Sequence, residues 1–170
     1  IGFVLVTLIL MFFMGTTNAI FVGLSVPISM FLAFIVMPVI GFSLNMIVLF
    51  AFLLALGIVV DDAIVVIENI YRHMEMGKNK VRASYDATKE IGFTVVSITM
   101  VIVVVFFPIS ISTGLVSDIL REFCVVVMIS TLLSLLASFS IVPLLTSRFG
   151  KLERISSRTF IGRFVLWFEK

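Results

Sequence analysis

Two adjacent aspartates, Asp61 and Asp62, lie in the middle of the aliphatic run GIVVDDAIVVIEN at residues 57–69. An ionised Asp at the centre of a membrane helix costs about 2.5–3.5 kcal/mol, so two of them need protons or partners. Neighbouring carboxylates held away from water bind protons more readily, because burial and mutual repulsion both penalise the charged form. Such a pair titrates as one coupled unit. Its chemistry suits reversible proton transfer.

The aspartate pair has two interpretations, a proton or ion relay and a buried polar clamp to another helix. We favour the relay, because ionisable residues inside membranes are functional by default. Gly57 lies one turn before Asp61 on the same helix face, which predicts close packing of another helix near the relay. Glu68 lies two turns beyond Asp61 and is either an ordinary helix-end acid, which we favour, or an auxiliary proton exit.

The remaining candidates for chemistry are weaker. His73 lies in a basic segment without partner ligands for a metal, so it is predicted to be an ordinary interfacial residue and no metal site is expected. Ser130, Ser134 and Ser138 recur every four residues, which predicts a packing seam first and a polar path second. The chain has no glycine-rich phosphate loop, so we expect no nucleotide cofactor and an ion gradient as the energy source.

Composition indicates that these residues belong to a membrane protein. Of the 170 residues, 61% are hydrophobic and 13% are charged, which is far too apolar for a soluble domain of this size. The net charge of +2 gives no reason to expect nucleic acid as a partner. One cysteine excludes a disulfide framework within the chain. Membrane lipid is therefore the expected surrounding.

Five apolar segments predict an all-α, polytopic transmembrane helix bundle over residues 1–146. The predicted spans are 1–14 (truncated at its start), 20–40, 44–70, 91–111 and 123–145. A cytoplasmic loop at 71–90 is predicted to contain a short helix that begins after Asn79. Residues 147–170 are predicted to form a cytoplasmic, interfacial amphipathic linker helix, with a disordered tail as the alternative. The chain starts without Met and ends in a helical pattern, so we expect it to be part of a longer protein.

Basic residues predict the orientation of the bundle. Between the third and fourth spans, and after the fifth, lie eleven of the 12 Lys and Arg residues. They are Arg72, Lys78, Lys80, Arg82, Lys89, Arg148, Lys151, Arg154, Arg158, Arg163 and Lys170. The opposite side carries Arg121 alone. The positive-inside rule therefore places residues 71–90 and 147–170 in the cytoplasm.

Several motifs resemble those of one transporter superfamily. The segments are GFSLN (41–45), LALGIVVDDAIVVIENIYRHM (54–74), VVFFPISISTG (104–114), REFCVVVMISTLLSLLASFSIVPLL (121–145) and FEK (168–170). They resemble the resistance-nodulation-division (RND) superfamily of proton-driven exporters, over essentially the whole chain. The match corresponds to the second to sixth helices of the family's N-terminal membrane half and the following linker helix. The doubled Asp resembles the hydrophobe/amphiphile multidrug branch.

The resemblance implies a secondary active transporter, not an enzyme, that exchanges protons for drugs or other amphiphilic compounds. It implies that Asp61 and Asp62 are the proton relay and face a lysine in the second transmembrane half of the same transporter. That lysine is expected outside this sequence, because the five predicted spans hold no interior Lys or Arg. The resemblance further implies a homotrimer in the bacterial inner membrane, driven by the proton-motive force. A periplasmic adaptor and an outer-membrane channel are the implied partners.

Three alternatives remain open. A heavy-metal-type RND exporter is the nearest, although that branch typically has a single Asp followed by Ala. An intramembrane aspartyl protease also uses two buried aspartates, but its dyad must converge on one water. Asp61 and Asp62 are neighbours on one helix and diverge, which disfavours this enzyme. A structural membrane scaffold is the third alternative, and it predicts that Asp-to-Asn changes leave function intact.

Overall fold

The computed structural model describes residues 16–150 and, before them, Val4, Thr7, Leu8 and Met11, which are helical. Side chains are described at 19–114 and 119–150 within the longer part. Most of the predicted first span, 1–14, lies outside the described residues. The predicted linker helix, 147–170, also lies outside them from residue 151 onward.

The described part of the chain is helical and contains no strand. Its four long helices are α1 (Thr16–Ile40), α2 (Met46–Glu75), α3 (Lys80–Ile111) and α4 (Leu115–Phe149). Each is long and apolar enough to cross a membrane. The prediction of an all-helical bundle with membrane-spanning helices is therefore confirmed for this part.

The turn between α1 and α2 follows from its sequence. Gly41 has a φ of +90°, and the N–H groups of Gly41 and Phe42 donate to the carbonyls of Pro38 and Met37 (3.1 Å each). This pattern of backbone hydrogen bonds is a glycine-terminated helix end. Asn45 then begins α2, since its side-chain oxygen accepts a hydrogen bond from the N–H of Val48 (2.8 Å).

The predicted loop at 71–90 is mostly helix. The α2 helix continues to Glu75, Gly77 turns the chain with a φ of +86°, and α3 begins at Lys80. The short helix predicted after Asn79 is therefore the first part of α3, which runs unbroken to Ile111. The reason is that residues 80–91 contain no Gly or Pro, and their charged residues include good helix formers. Charge marks where the predicted span ends, not where the helix ends.

Helices α2 and α4 form the centre of the described bundle, since each packs against all three of the other helices. Of the three buried apolar clusters among the described residues, the two larger ones lie at different heights along α2. The first cluster contains Val48, Ala51 and Phe52, which pack with residues of α1 and α4. The second cluster contains Ala63, Val66, Ile67 and Ile70, which pack with residues of all three other helices. The aspartate pair lies between these two clusters.

Candidate functional site

The α2 helix places the two aspartates in different surroundings. The Asp62 side chain is buried, with 7% of the residue exposed, whereas Asp61 is exposed on the surface of the described bundle. Successive helical residues point about 100° apart, so burying one neighbour turns the other outward. The two carboxylates therefore diverge, as predicted from their adjacent positions on one helix.

The α4 helix supplies the partner of Asp62. The hydroxyl of Ser134, which is fully buried, donates to Oδ2 of Asp62 at 3.0 Å. It also lies 3.4 Å from the carbonyl oxygen of Val59. A serine hydroxyl can donate to a carboxylate or accept from a carboxylic acid, so this contact suits both protonation states of Asp62.

Ser134 belongs to the serine seam on α4, formed by Ser130, Ser134 and Ser138. All three are buried, with 2% exposure or less. The sequence predicted this seam as packing first and a polar path second, and the structure joins one of its members to Asp62. The hydroxyl of Ser130 makes no hydrogen bond with any described residue.

No ion pair involves Asp61 or Asp62 in the part of the chain that the structure describes. The three described ion pairs all lie near the turn between α2 and α3. Asp62 is instead bordered by apolar residues on its own helix, Val59, Val60 and Ala63, which are 8% exposed or less. A carboxylate in such surroundings, with one hydroxyl partner, has a high energetic cost when ionised.

Gly57 lies on the surface of the described bundle, so its packing against another helix near the relay stays a prediction. A methyl group added at Gly57 would meet no heavy atom within 4 Å, and the residue is exposed. Gly57 and Asp61 are one turn apart and therefore share the same outward face of α2. Glu68, the possible auxiliary group, is also exposed near this face. The outward face of α2 therefore carries two acidic groups, Asp61 and Glu68.

A second polar cluster lies near the turn between α2 and α3, and the sequence did not predict it. His73 is buried, its Nε2 contacts a carboxylate oxygen of Glu90, and its Nδ1 lies 2.8 Å from Nζ of Lys78. A lysine ammonium can only donate, so Nδ1 accepts and Nε2–H donates to Glu90. Lys78 also donates to Asp86 at 2.7 Å. His73 is therefore part of a hydrogen-bonded chain.

Side chains also tie the helix ends together near this cluster. Asn69 is buried and donates to the carbonyl of Ala87 on α3 at 3.0 Å. Lys80 donates to the carbonyl of Arg148 at the end of α4 at 2.7 Å. The spacing of residues could have indicated that α2 has a polar face. Asp62, Asn69 and His73 recur at intervals of seven and four residues and therefore share one side of the helix. Among the described residues, no group of three or more His, Cys, Asp or Glu could hold a metal ion.

The fold and the site define a class of protein, a multi-pass membrane helix bundle with a buried carboxylate. The sequence model of the AcrB/AcrD/AcrF family matches residues 1–170, and the chain belongs to that family. The resemblance to the RND superfamily is thereby confirmed. Family membership and the four apolar helices identify the chain as part of a multi-pass inner-membrane protein.

Multidrug resistance proteins are among its relatives. The multidrug resistance protein MdtC of Pectobacterium carotovorum subsp. carotovorum (strain PC1) is 41% identical over 149 residues, which cover 87% of this chain and 14% of that protein. MdtC of Escherichia coli O139:H28 (strain E24377A / ETEC) is 40% identical over 146 residues, covering 85% of this chain and 14% of the relative. MdtC of Escherichia coli (strain K12) is 41% identical with the same coverage. The chain thus spans about 14% of the length of these curated relatives.

Proposed function

We propose that the chain is the membrane part of a proton-driven exporter of drugs or other amphiphilic compounds, with Asp61 and Asp62 as its proton relay. The observation that carries the proposal is Asp62, a buried carboxylate whose described side-chain partner is one serine hydroxyl. Membership of the AcrB/AcrD/AcrF family and relatives named multidrug resistance proteins support export as the work that the relay drives. The protein acts as a secondary active transporter, driven by the proton-motive force without a cofactor.

The two aspartates have different roles in this proposal. Asp62 holds and releases a proton inside the bundle, where ionisation is costly and protonation relieves that cost. Asp61 faces outward and contributes negative charge to the interface between α2 and the element that packs against this face. Protonation can drive transport only if it favours one conformation over another, so the covering element must have a different arrangement in each protonation state.

The exposed face of α2 supports a partner that supplies a cation. Apolar residues on the outside of the helix, such as Leu53 (66% exposed) and Val65 (45% exposed), are compatible with lipid, but an ionised Asp61 is not. We assign this face to the second transmembrane half of the same transporter, with an interior lysine opposite Asp61. Gly57, which has no neighbour among the described residues, then permits close approach of that half.

The proposed assembly extends beyond the described helices. It has five spans in residues 1–146 and a cytoplasmic, interfacial linker helix at 147–170, with 71–90 on the cytoplasmic side. The complete transporter is a homotrimer that works with a periplasmic adaptor and an outer-membrane channel. Family membership supports such a multi-component arrangement, and the distribution of basic residues supports the orientation.

Of the three alternatives, the aspartyl protease and the heavy-metal-type exporter gain no support, and the Asp-to-Asn test below decides the structural scaffold. An aspartyl protease dyad needs both carboxylates at one water, whereas Asp62 is buried and Asp61 is exposed on another face of α2. A heavy-metal-type exporter is not favoured either, since the reported relatives at 40–41% identity are named multidrug resistance proteins. The doubled aspartate agrees with the multidrug branch.

The proposal is tested by removing each carboxylate in the full-length transporter that carries this chain. Asp61→Asn and Asp62→Asn keep the side-chain shape but cannot carry the proton, so we expect each to lower proton-driven dye export by about a hundredfold or more. Export is measured in proteoliposomes with an imposed pH gradient, and the amount of folded protein is measured in parallel. Glu68→Gln, which removes another carboxylate from α2, is the matched control and should keep most of the activity. Export at the parental rate by either Asp variant would overturn the relay assignment.

A further inference from the structure

A hydrogen bond between Asn45 and Glu122 joins the ends of α2 and α4 that lie outward in the proposed orientation. The amide oxygen of Asn45 accepts from the N–H of Val48 at 2.8 Å, and its Nδ2 donates to Oε2 of Glu122. Because the oxygen is committed to the start of α2, the nitrogen needs an acceptor elsewhere, and α4 supplies it. Both residues are half-buried, so water competes less with this contact than it would on an open surface.

The rotation of α2 decides which of the two aspartates is buried. Turning the helix by about 100° would put Asp61 where Asp62 now lies. In the outer half of α2, that turn would exchange one set of apolar residues for another. The buried residues there are Val48, Ala51, Ala55 and Val59, and the residues that would take their places are Ile47, Phe50, Leu54 and Ile58. Hydrophobicity therefore does not specify the rotation of this half, whereas a directional hydrogen bond can.

The inner half of α2 is held in a different way. The same turn would bury Glu68 and Arg72, which are exposed, in place of Asn69 and His73. Burying charged groups without partners is costly, so charge fixes the rotation of α2 near the cytoplasm. The other end of the helix needs an anchor of its own.

We propose that Glu122 is a positioning residue for the relay. It holds Asn45 and thereby keeps α2 in the rotation that brings Asp62, and not Asp61, to the hydroxyl of Ser134. This inference rests on the relay function proposed above and adds the residue that orients its buried member.

The α2 helix transmits this orientation from its first turn to the aspartates. It is unbroken from Met46 to Glu75 and contains no proline, so its residues turn together. Glu122 and Ser134 both belong to α4. Their contacts therefore hold α2 against one neighbour at two heights, about 25 Å apart along α2. Without the outer contact, the outer half can turn, and the bond from Ser134 to Asp62 forms in a smaller share of the molecules.

The test measures how readily Asp62 takes up a proton in the full-length transporter in lipid. Its carboxylic acid C=O band in the infrared spectrum is identified by its absence in Asp62→Asn, and the intensity of the band is followed against pH. Ser134→Ala removes the hydrogen bond directly, so we expect it to move the titration midpoint by about one pH unit. Glu122→Ala should move the midpoint in the same direction by about half as much. In Glu122→Gln an amide oxygen still accepts from Asn45, so the midpoint should stay at the parental value.

Variants of Asn45 test the contact from the other side. In Asn45→Asp the side chain still caps α2, but it cannot donate to Glu122 and the two carboxylates repel each other. We expect the midpoint to move as it does in Glu122→Ala. The double variant Asn45→Asp/Glu122→Gln restores a donor and an acceptor with their roles exchanged, so it should return the midpoint to the parental value.

A combination with Ser134→Ala shows how Glu122 acts. Adding Glu122→Ala to Ser134→Ala should leave the midpoint where Ser134→Ala alone puts it, because both changes remove the same hydrogen bond. Additive shifts would show that Glu122 acts on Asp62 by another route and would overturn the inference. Unfolding by denaturant is measured for every variant, because a contact that only stabilises the fold would lower stability and leave the midpoint unchanged.

The remaining outcomes are equally decisive. A parental midpoint in Glu122→Ala or in Ser134→Ala would overturn the inference, and so would a shift in Glu122→Gln as large as that in Glu122→Ala. If Asp62→Asn exports at the parental rate while the variants of Glu122 behave as expected, the positioning role stands and the relay function fails. If Asp62→Asn is inactive and Glu122→Ala keeps the parental midpoint, the relay stands and the positioning role fails.

Discussion

The two polar clusters on α2 differ in how completely their groups are paired. At Asp62, one buried carboxylate accepts a hydrogen bond from one serine, and no cation is paired with it in the described part of the chain. At His73, about 16 Å further along the helix, Lys78, Asp86 and Glu90 form a continuous chain of hydrogen bonds and ion pairs. The same helix face therefore carries one incompletely paired group and one fully connected network.

If the proposed function holds, this difference separates a cluster that takes part in transport, at Asp62, from one that holds the helices together, at His73. A satisfied polar network stabilises a single arrangement, because each member would lose a partner on moving. A buried carboxylate without a charge partner becomes more stable when it takes up a proton or when a conformational change brings a partner to it. We therefore expect substitutions at Asp62 to affect transport and substitutions around His73 to affect stability.

The largest stability effect should come from removing His73. In His73→Ala, a buried side chain is lost and two of its hydrogen bonds disappear, so we expect a loss of about 2 kcal/mol in the free energy of unfolding. Transport per folded molecule should change by less than about twofold, because His73 has no part in the relay. Unfolding is measured by denaturant titration in mixed micelles, with transport assayed in proteoliposomes. His73→Gln, which can still donate toward Glu90, is the control and should recover part of the loss. A large loss of transport at unchanged stability would place His73 in the proton pathway and break the comparison.

A smaller effect is expected at Asn69, which lies between the two clusters on α2. Its side chain donates to the carbonyl of Ala87 on α3 at 3.0 Å and also hydrogen-bonds to Glu90 on the same helix. Asn69→Ala should lower the free energy of unfolding by about 1 kcal/mol, because the buried bond to Ala87 is lost and water can replace the bond to the half-exposed Glu90. The control is Ser97→Ala, since the exposed Ser97 bonds to the carbonyl of Phe93 in its own helix and should matter little. If both variants lost the same stability, the hydrogen bond from Asn69 to α3 would stabilise the fold no more than the exposed hydrogen bond of Ser97 does.

Much of the fold could be predicted from the sequence, because long apolar runs in a membrane must be helices. The turns at Gly41 and Gly77 also follow from residue type, since both have positive φ. The extension of α2 and α3 through the basic segment could not be read from hydropathy. Hydropathy reports where the membrane ends, and helix propensity decides where a helix ends.

The sequence predicted the residues of the proposed relay but not how they are oriented in the bundle. The sequence singled out Asp61 and Asp62, yet it could not tell which one is buried. A helix that is apolar on nearly all sides has no polar face to show how it is rotated in the bundle. Ser134 was predicted as part of a seam, and only the packing of α4 on α2 brings it to Asp62. The partners of His73 were missed because they come from another helix and the turn.

The smallest effect is expected at the outer edge of the His73 cluster, where Lys78 pairs with Asp86. Both side chains are about one-third exposed, at 32% and 30%, so water replaces much of what their contact provides. Lys78→Met should lower the midpoint of thermal unfolding by only about 2 °C or less, and the difference from the parent should shrink as salt is added. The control is Arg82→Met, because Arg82 is 80% exposed and lies 3.9 Å from the same carboxylate, so it should change the midpoint even less. A salt-independent loss in Lys78→Met as large as that in His73→Ala would show that Lys78 acts through its contact with the buried His73. In that case Lys78 and His73 would stabilise the protein as one coupled unit.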